Sequence, residues 1–337
     1  MSPVAAAIAD MAARIAGLSA GFGRRVCVDE AQVANRSAFM ALKPPGLWSP
    51  NRSCRMVQAA DGWIAVNLPR EADLWMVPAW IGCRLEAAPW PAIRRRARTR
   101  PWRDLVEGAA LLGLPVSGVG ETGVPAADSG LIRIGPGAAR RPRPVSVLDL
   151  SSLWAGPLCG ALLAEAGFEV TKLESLGRPD VLRDSAPAMF DQLNGAKTQA
   201  RLDFASASDR ARLADLFASA DVVITSARPR AFDQLGLAPE RVFIANPGLV
   251  WVAVTGHGWT GPGAERVAFG DDAAAAGGLV RWTHGGEPRF LGDALADPLT
   301  GLFAALGALR GLDQGGGVLV DAAMAPTSAR AAALAPA

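Results

Sequence analysis

Residues 145–174 read VSVLDLSSLWAGPLCGALLAEAGFEVTKLE, and this stretch decides the fold. Residues 145–150 (VSVLDL) are a short, mostly apolar run of the kind that forms a buried strand. Residues 155–167 carry a helical pattern closed by Gly167, the residue type favoured just past a helix end. Residues 169–174 (EVTKLE) predict a second strand. Toward the C-terminus, residues 220–225 (ADVVIT) and 249–256 (LVWVAVTG) predict two more, with helical segments over 207–219 and around 228–235. Strands alternating with helices predict an α/β fold: an open, mostly parallel, Rossmann-like sheet covered on both faces. Such sheets hold ligands at the carboxyl ends of their strands. The loops after Leu150, Glu174, Thr225 and Gly256 are therefore where chemistry is expected.

Toward the N-terminus, Pro and Gly gather over residues 120–144, and no hydrophobic period survives there. This predicts a linker between a small α+β domain, residues 1–119, and a large sheet domain, residues 145–337. In the small domain, residues 62–67 (GWIAVN) predict a strand after an Asp-Gly turn signal. Residues 75–81 and 102–112 predict helices, and 114–119 a further strand.

A chain of 337 residues, half of them hydrophobic and 20% charged, is long enough to bury two cores. The net charge of +2 excludes a global field for nucleic acid. The basic run Arg94, Arg95, Arg96, Arg98, Arg100 reads as the solvated C-terminal end of a helix. Cys27, Cys54, Cys83 and Cys159 show no C-x-x-C spacing and lie far from His257 and His284, so neither a metal site nor a disulfide framework is expected. Asp10 and Arg14 interrupt the Ala-rich start, which excludes a signal-peptide core. No apolar run reads as membrane-spanning, and a cytoplasmic location is expected.

The second half resembles the family III CoA-transferases (the CaiB/BaiF family). The fragments that carry the likeness come in family order: LDLSSLWAGPLCGALLAEAGFEVTKLE, GRPDVLR, FDQLNGAKTQARLDF, ADVVIT with RPRAFDQLGL, NPGLVWVAVTGHGWTGPGAERVAFGDDAAAAGGL, LGDALADPLTGLFAALGAL and GGGVLVDAAM. In the first half, ADGWIAVNLP and WRDLVEGAALLGLPVSGVGE resemble the family's smaller domain, here placed before the large one. The resemblance implies a CoA-transferase acting on an acyl-CoA and a carboxylic acid acceptor, with CoA as substrate and no tightly bound cofactor. Family members form interlocked dimers, so a homodimer or a paralogue partner is expected.

Asp297, in LADPLTGLF, stands where the family carries its nucleophile. The residues themselves agree: Asp followed by Pro is a good N-cap and first helical position, predicting a helix over 298–312. A carboxylate there is expected to be held ionised by backbone N–H groups and the helix dipole, as nucleophilic attack requires. On the local pattern alone, an Asp that only caps a helix is the more common case. The resemblance implies attack on the thioester to give a mixed anhydride, then an aspartyl-CoA thioester. Backbone N–H groups of Gly277 and Gly278 are expected to stabilise the oxyanions. CoA contacts are expected from Trp154, Ala155, Arg178, Arg183, Lys197, Arg228 and Arg230, since Arg forks suit phosphates.

Two departures stand out. Ser226 replaces the Asn of the family's Asn-Phe-Arg-Pro-Gly segment, and Ala205 replaces a Lys. His257 reads as a loop residue, His284 as a hairpin-turn residue, and Asp271 and Asp272 as helix caps or acid/base helpers to Asp297. The related α-methylacyl-CoA racemases need a His where this chain has Phe269, which ranks that activity below transfer. A weakly active CoA-thioester-binding subunit is the third reading.

Overall fold

The computed structural model describes residues 2–85, 87–126, 130–138 and 144–334. Helix α1 (Pro3–Gly21) opens the chain. The small domain follows with β1 (Cys54–Gln58), β2 (Trp63–Asn67), α2 (Glu71–Ile81), α3 (Pro89–Ala97), α4 (Trp102–Leu111) and β3 (Val116–Gly118). Next come β4 (Leu131–Arg133), β5 (Ser146–Asp149), α5 (Ala155–Glu165), β6 (Glu169–Ser175), α6 (Leu182–Ser185), α7 (Pro187–Asn194), β7 (Thr198–Leu202) and α8 (Ala207–Ser219). The chain continues through β8 (Val222–Thr225), α9 (Pro229–Gln234), α10 (Pro239–Ala245), β9 (Val250–Thr255), α11 (Gly270–Ala276), β10 (Val280–Trp282) and β11 (Pro288–Phe290). It closes with α12 (Ala296–Asp313), β12 (Val318–Ala323) and α13 (Met324–Ala332).

The main sheet has seven strands in the order β4-β12-β9-β8-β5-β6-β7. All its pairings are parallel except β12 with β4. Strand alternation sends side chains to two cores. Val250, Val252 and Val254 of β9 enter the core built with α1, α5 and α12, while Trp251 and Ala253 enter the core under α8, α9 and α10. Trp251 is fully buried against Phe217, Phe232 and Trp259, and its indole N–H donates to Thr225 Oγ1 at 3.0 Å. The sheet is thus covered on both faces, as the strand–helix alternation predicts.

Two predicted boundaries change. Residues 1–119 do not form one unit, because the apolar stripe of α1 (Val4, Ile8, Met11, Ile15) joins the large core and packs on α12. The small domain's own core runs from Val57 to Val116. The segment expected as a linker contributes β4, an antiparallel edge strand whose Leu131, Ile132 and Arg133 pair with β12; the flanking Gly and Pro obscure so short a strand. Residues 127–129 and 139–143 of that linker lie outside the described residues. By length and composition alone α1 is apolar enough to cross a membrane, contrary to expectation. Asp10 and Arg14 pair on its outer face at 2.9 Å.

The basic run falls where it was expected, with Arg94, Arg95 and Arg96 in the last turn of α3. The small domain docks through β2 and β3 onto α11. Cys54, Met56 and Ala65 meet Ala275 and Phe290 in a core of their own. This docking brings Asn51 and Asn67 against Asp271 and Asp272 of α11.

Candidate active site

Strand order reverses between β5 and β8, the position at which sheets of this kind place their ligands. Ser152 N–H donates to Ser226 Oγ at 3.0 Å, tying together the loops that follow these strands. Ser226, the residue that departs from the family pattern, therefore has a structural task. Helix α5 follows the first of these loops, and Gly160 lets it lie close over the sheet. A Cβ there would stand 2.7 Å from Asp149 Oδ2 and 2.8 Å from Lys197 Nζ.

Asp297 lies in the first turn of α12, which begins at Ala296 rather than at residue 298. It is therefore not the N-cap; Leu295 is. Asp297 N–H donates to Ala294 O at 2.9 Å. Ala294 has φ 46°, and Leu153, two residues before α5, has φ 69°. Both helices thus leave a left-handed non-glycine residue, a strained conformation that persists only where surrounding contacts enforce it. Those contacts are present: Ala294 N–H donates to Asp271 Oδ1 at 2.7 Å, and Leu153 N–H to the Asp180 carboxylate at 3.1 Å.

Asp297 is half-buried as a residue, and its carboxylate is reached by the N–H of Ala155 at the start of α5. Gly270 presses against its other side, where a Cβ would collide with Oδ2. Burial pushes the Asp297 carboxyl up to about 7; Asp271 and Asp293 push the same way, against Arg36 and the Ala155 N–H. The expectation of a carboxylate held firmly ionised is corrected: burial, with Asp271 and Asp293 beside it, outweighs Arg36 and the Ala155 N–H.

Around it stand residues the sequence reading used only in part. Asp271 accepts from Asn51 Nδ2 at 2.8 Å, and burial pushes its carboxyl up to about 6. Asp272 caps α11 through the Phe269 N–H at 3.0 Å, accepts from Asn67 Nδ2 at 2.8 Å, and is pushed by burial to about 7. The guanidinium of Arg36 is ion-paired with Asp293 and lies 5.2 Å from the Trp154 ring centre. Arg36, Asp293, Asn51 and Asn67 were missed. Asp293 was findable, standing four residues before Asp297, but Arg36 sits in a stretch without a motif.

The other expected residues divide. Trp154 is buried beneath Arg36, and Ala155 touches Asp297 rather than a distant ligand. Arg178, Arg228 and Arg230 follow the ends of β6 and β8. Burial lowers the Arg228 guanidinium from its usual range, and the cations of Arg230, Arg70 and Arg178 lower it further, against Glu265. Arg230 pairs with Glu265 at 3.2 Å. Arg70, from the small domain, acts on Arg228 through its charge and was not expected; its own guanidinium is ion-paired with Asp73 and donates to Gly113 O at 3.1 Å.

Arg183 is committed to Glu174 and Gln199 and stacks on Phe190. Lys197 is buried, paired with Asp149 at 2.8 Å and donating also to Pro157 O and Asn194 Oδ1. Its expected contact with CoA is corrected, since all three of its donors are used inside the protein.

Gly277 and Gly278 are corrected as well. Their N–H groups donate to Ala273 O and Ala275 O at 3.1 and 3.0 Å, closing α11 at the end opposite Asp297, about 10 Å away along seven residues of helix. Gly277 is needed for packing: a Cβ would stand 2.5 Å from Ala329 N. His257 is held neutral, pushed down to about 3 by burial and Arg266. His284 lies in the exposed turn joining β10 to β11.

Fold and site together define an α/β protein with a carboxylate cluster at the switch point of its sheet and a basic group beside it. The family model described as CoA-transferase family III matches residues 143–336, and the chain belongs to that family. It is 35% identical over 198 residues to succinyl-CoA--D-citramalate CoA-transferase of Chloroflexus aurantiacus, covering 54% of this chain and 49% of that protein. It is 29% identical over 245 residues to succinyl-CoA:glutarate CoA-transferase of Mus musculus, covering 69% of this chain and 52% of that protein. A solved CaiB/BaiF family protein from Brucella suis superposes with TM-score 0.50 at 30% identity, covering 55% of this chain and 53% of that one. The chain spans about half the length of the curated relatives it matches.

Proposed function

We propose that the protein is a CoA-transferase that moves CoA from an acyl-CoA thioester to a carboxylic acid through Asp297. The observation that carries this reading is the placing of one carboxylate in the first turn of α12, with the first N–H of α5 directed at it. The ionised Asp297 oxygen attacks the thioester carbonyl carbon; the C–S bond breaks, giving a mixed anhydride and CoA thiolate. The thiolate attacks Asp297 Cγ, releasing the donor acid and leaving an aspartyl-CoA thioester. The acceptor carboxylate attacks that thioester, re-forming an anhydride and thiolate. The thiolate then takes the acceptor's acyl carbon and frees Asp297.

Arg36 favours the ionised form of Asp297, while Asp271 and Asp293 oppose it. The Ala155 N–H steadies charge on the carboxylate oxygen as bonds to it form and break. Arg70, Arg178, Arg228 and Arg230 supply the positive charge that the phosphates of CoA require. A second copy or a paralogue is the proposed partner. The test is mass spectrometry after mixing protein, acyl-CoA and hydroxylamine. A hydroxamate on Asp297 is expected, and unchanged exchange in Asp297→Ala would overturn the reading.

A further inference from the structure

The loop of residues 291–295 leads from β11 into α12 and so sets where Asp297 stands. It holds Ala294 in the left-handed backbone region, which an alanine keeps only where contacts enforce it. The segment between α1 and β1, residues 22–53, grips this loop at three points. At the loop's start, Phe290 N–H donates to Gly46 O at 3.0 Å. In its middle, Asp293 is ion-paired with Arg36. At its end the grip is indirect. Asn51 Nδ2 donates to Asp271 Oδ2 at 2.8 Å, and Asp271 Oδ1 accepts from Ala294 N–H at 2.7 Å. Ala294 O in turn accepts from Asp297 N–H at 2.9 Å.

Neither side chain in this series is free to turn. Asn51 Oδ1 accepts from Ser49 Oγ, Ser53 N–H and Ser53 Oγ, each at 2.8 Å. Three donors on one oxygen fix the amide with its Nδ2 toward Asp271. Asp271 is buried, and each of its oxygens is engaged by a different partner. Its neighbour Gly270 packs on Ala294, where a Cβ would stand 2.6 Å from Ala294 O. Asp271 thus holds the backbone ahead of α12, besides acting on Asp297 through its charge.

We infer that Asn51 and Asp271 are positioning residues, which seat Ala294 and through it aim Asp297 for attack. The inference rests on the reading of Asp297 as the nucleophile.

Swapping the two side chains tests it. Asp271→Asn still offers an oxygen to Ala294 but turns an NH2 toward the NH2 of Asn51, whose amide cannot flip without abandoning three donors. At pH 8, Asn51→Asp sets two carboxylates face to face. Each is expected to lower kcat about tenfold or more by misplacing Asp297, with KM for the thioester changed less than about twofold. The double variant, Asn51→Asp with Asp271→Asn, re-forms these hydrogen bonds with donor and acceptor reversed. Its kcat is expected to return to within about threefold of the parent. Asp271→Asn alone also removes a charge that opposes ionisation of Asp297. The midpoint of its pH–rate profile is therefore expected to fall, a shift that looser packing by itself does not produce.

Glycine adopts the left-handed backbone without strain. Adding Ala294→Gly to Asp271→Asn is thus expected to recover part of the lost rate, and it keeps the test open if the swapped pair does not fold. A single variant with parental kcat, a loss confined to KM, or losses that neither the swap nor Ala294→Gly reverses would each overturn the inference. Failure of the transferase reading is seen separately, as acyl exchange that persists in Asp297→Ala.

Discussion

Gly301 and Ala155 stand so close that a Cβ on the glycine would lie 2.8 Å from the alanine carbonyl oxygen. Gly301 is one turn after Asp297 on the same face of α12, so its missing side chain is what lets α5 approach and bring its first N–H to the carboxylate. The Asp-x-x-x-Gly pattern therefore has a geometric meaning here. Gly301→Ala is expected to cost about 1–3 kcal/mol of stability through overpacking and to lower exchange activity at least tenfold. Chemical denaturation and steady-state rates measure the two effects.

Because attack needs the ionised form and Asp297 is pushed up to about 7, the rate should rise with pH. A gain of about tenfold in kcat/KM between pH 6 and pH 8 is expected for a single group titrating near 7. Arg36 favours ionisation, so Arg36→Gln should move the midpoint upward. A flat profile would separate Asp297 from the chemistry.

Asp272 is fully buried, and its carboxyl is raised from 3.8 to about 7. The folded state then holds a proton that the unfolded state has lost over this interval. The stabilisation from this group is complete below about pH 4 and disappears as pH rises through 7. Asp272→Asn keeps its side chain uncharged throughout. It should match the parent near pH 4 and exceed it at pH 8 by on the order of 4 kcal/mol; thermal melts across pH test this.

Arg228→Gln and Arg70→Gln should each raise KM for the thioester about tenfold, the worth of one charge-assisted hydrogen bond, and change kcat less than twofold. Raising salt should shrink the difference, because the group is partly exposed. Equal KM values at low salt would detach the basic group from CoA.

Lys197→Met should act on stability rather than on CoA. It leaves Asp149 buried and unpaired, a loss of about 3–5 kcal/mol. Thermal unfolding reads this directly, and KM for CoA in the folded protein should stay within twofold.

Much of the sheet domain was legible because its strands are apolar on both faces and its helices end at punctuating glycines. The helix at 207–219 falls on α8 residue for residue, and the strands predicted at 145–150, 169–174, 220–225 and 249–256 become β5, β6, β8 and β9 with ends moved by one or two residues. The partnership of α1 was not legible, because an amphipathic stripe shows that a helix has a buried side but not which core receives it. The site divides in the same way. Asp297 was singled out by its resemblance to the family pattern, while the local cap reading misplaced the helix start, whereas Arg36 became visible only when the chain folded it against carboxylates distant in sequence. Lys197 misled for the converse reason: a lysine beside a ligand loop reads as a phosphate contact until burial and an aspartate claim it.

The pairing of Arg36 with Asp293 spans 257 positions of chain. During synthesis the ribosome delivers Arg36, Trp154 and Ala155 long before α12 emerges. Until then the slot between α1 and α5 that α12 fills is an open apolar trench. A nascent chain in that state exposes surface of the kind that drives aggregation. The carboxylate cluster is thus assembled late, with α12 and ahead of the inner strand β12, and chaperone demand should peak before these elements are made.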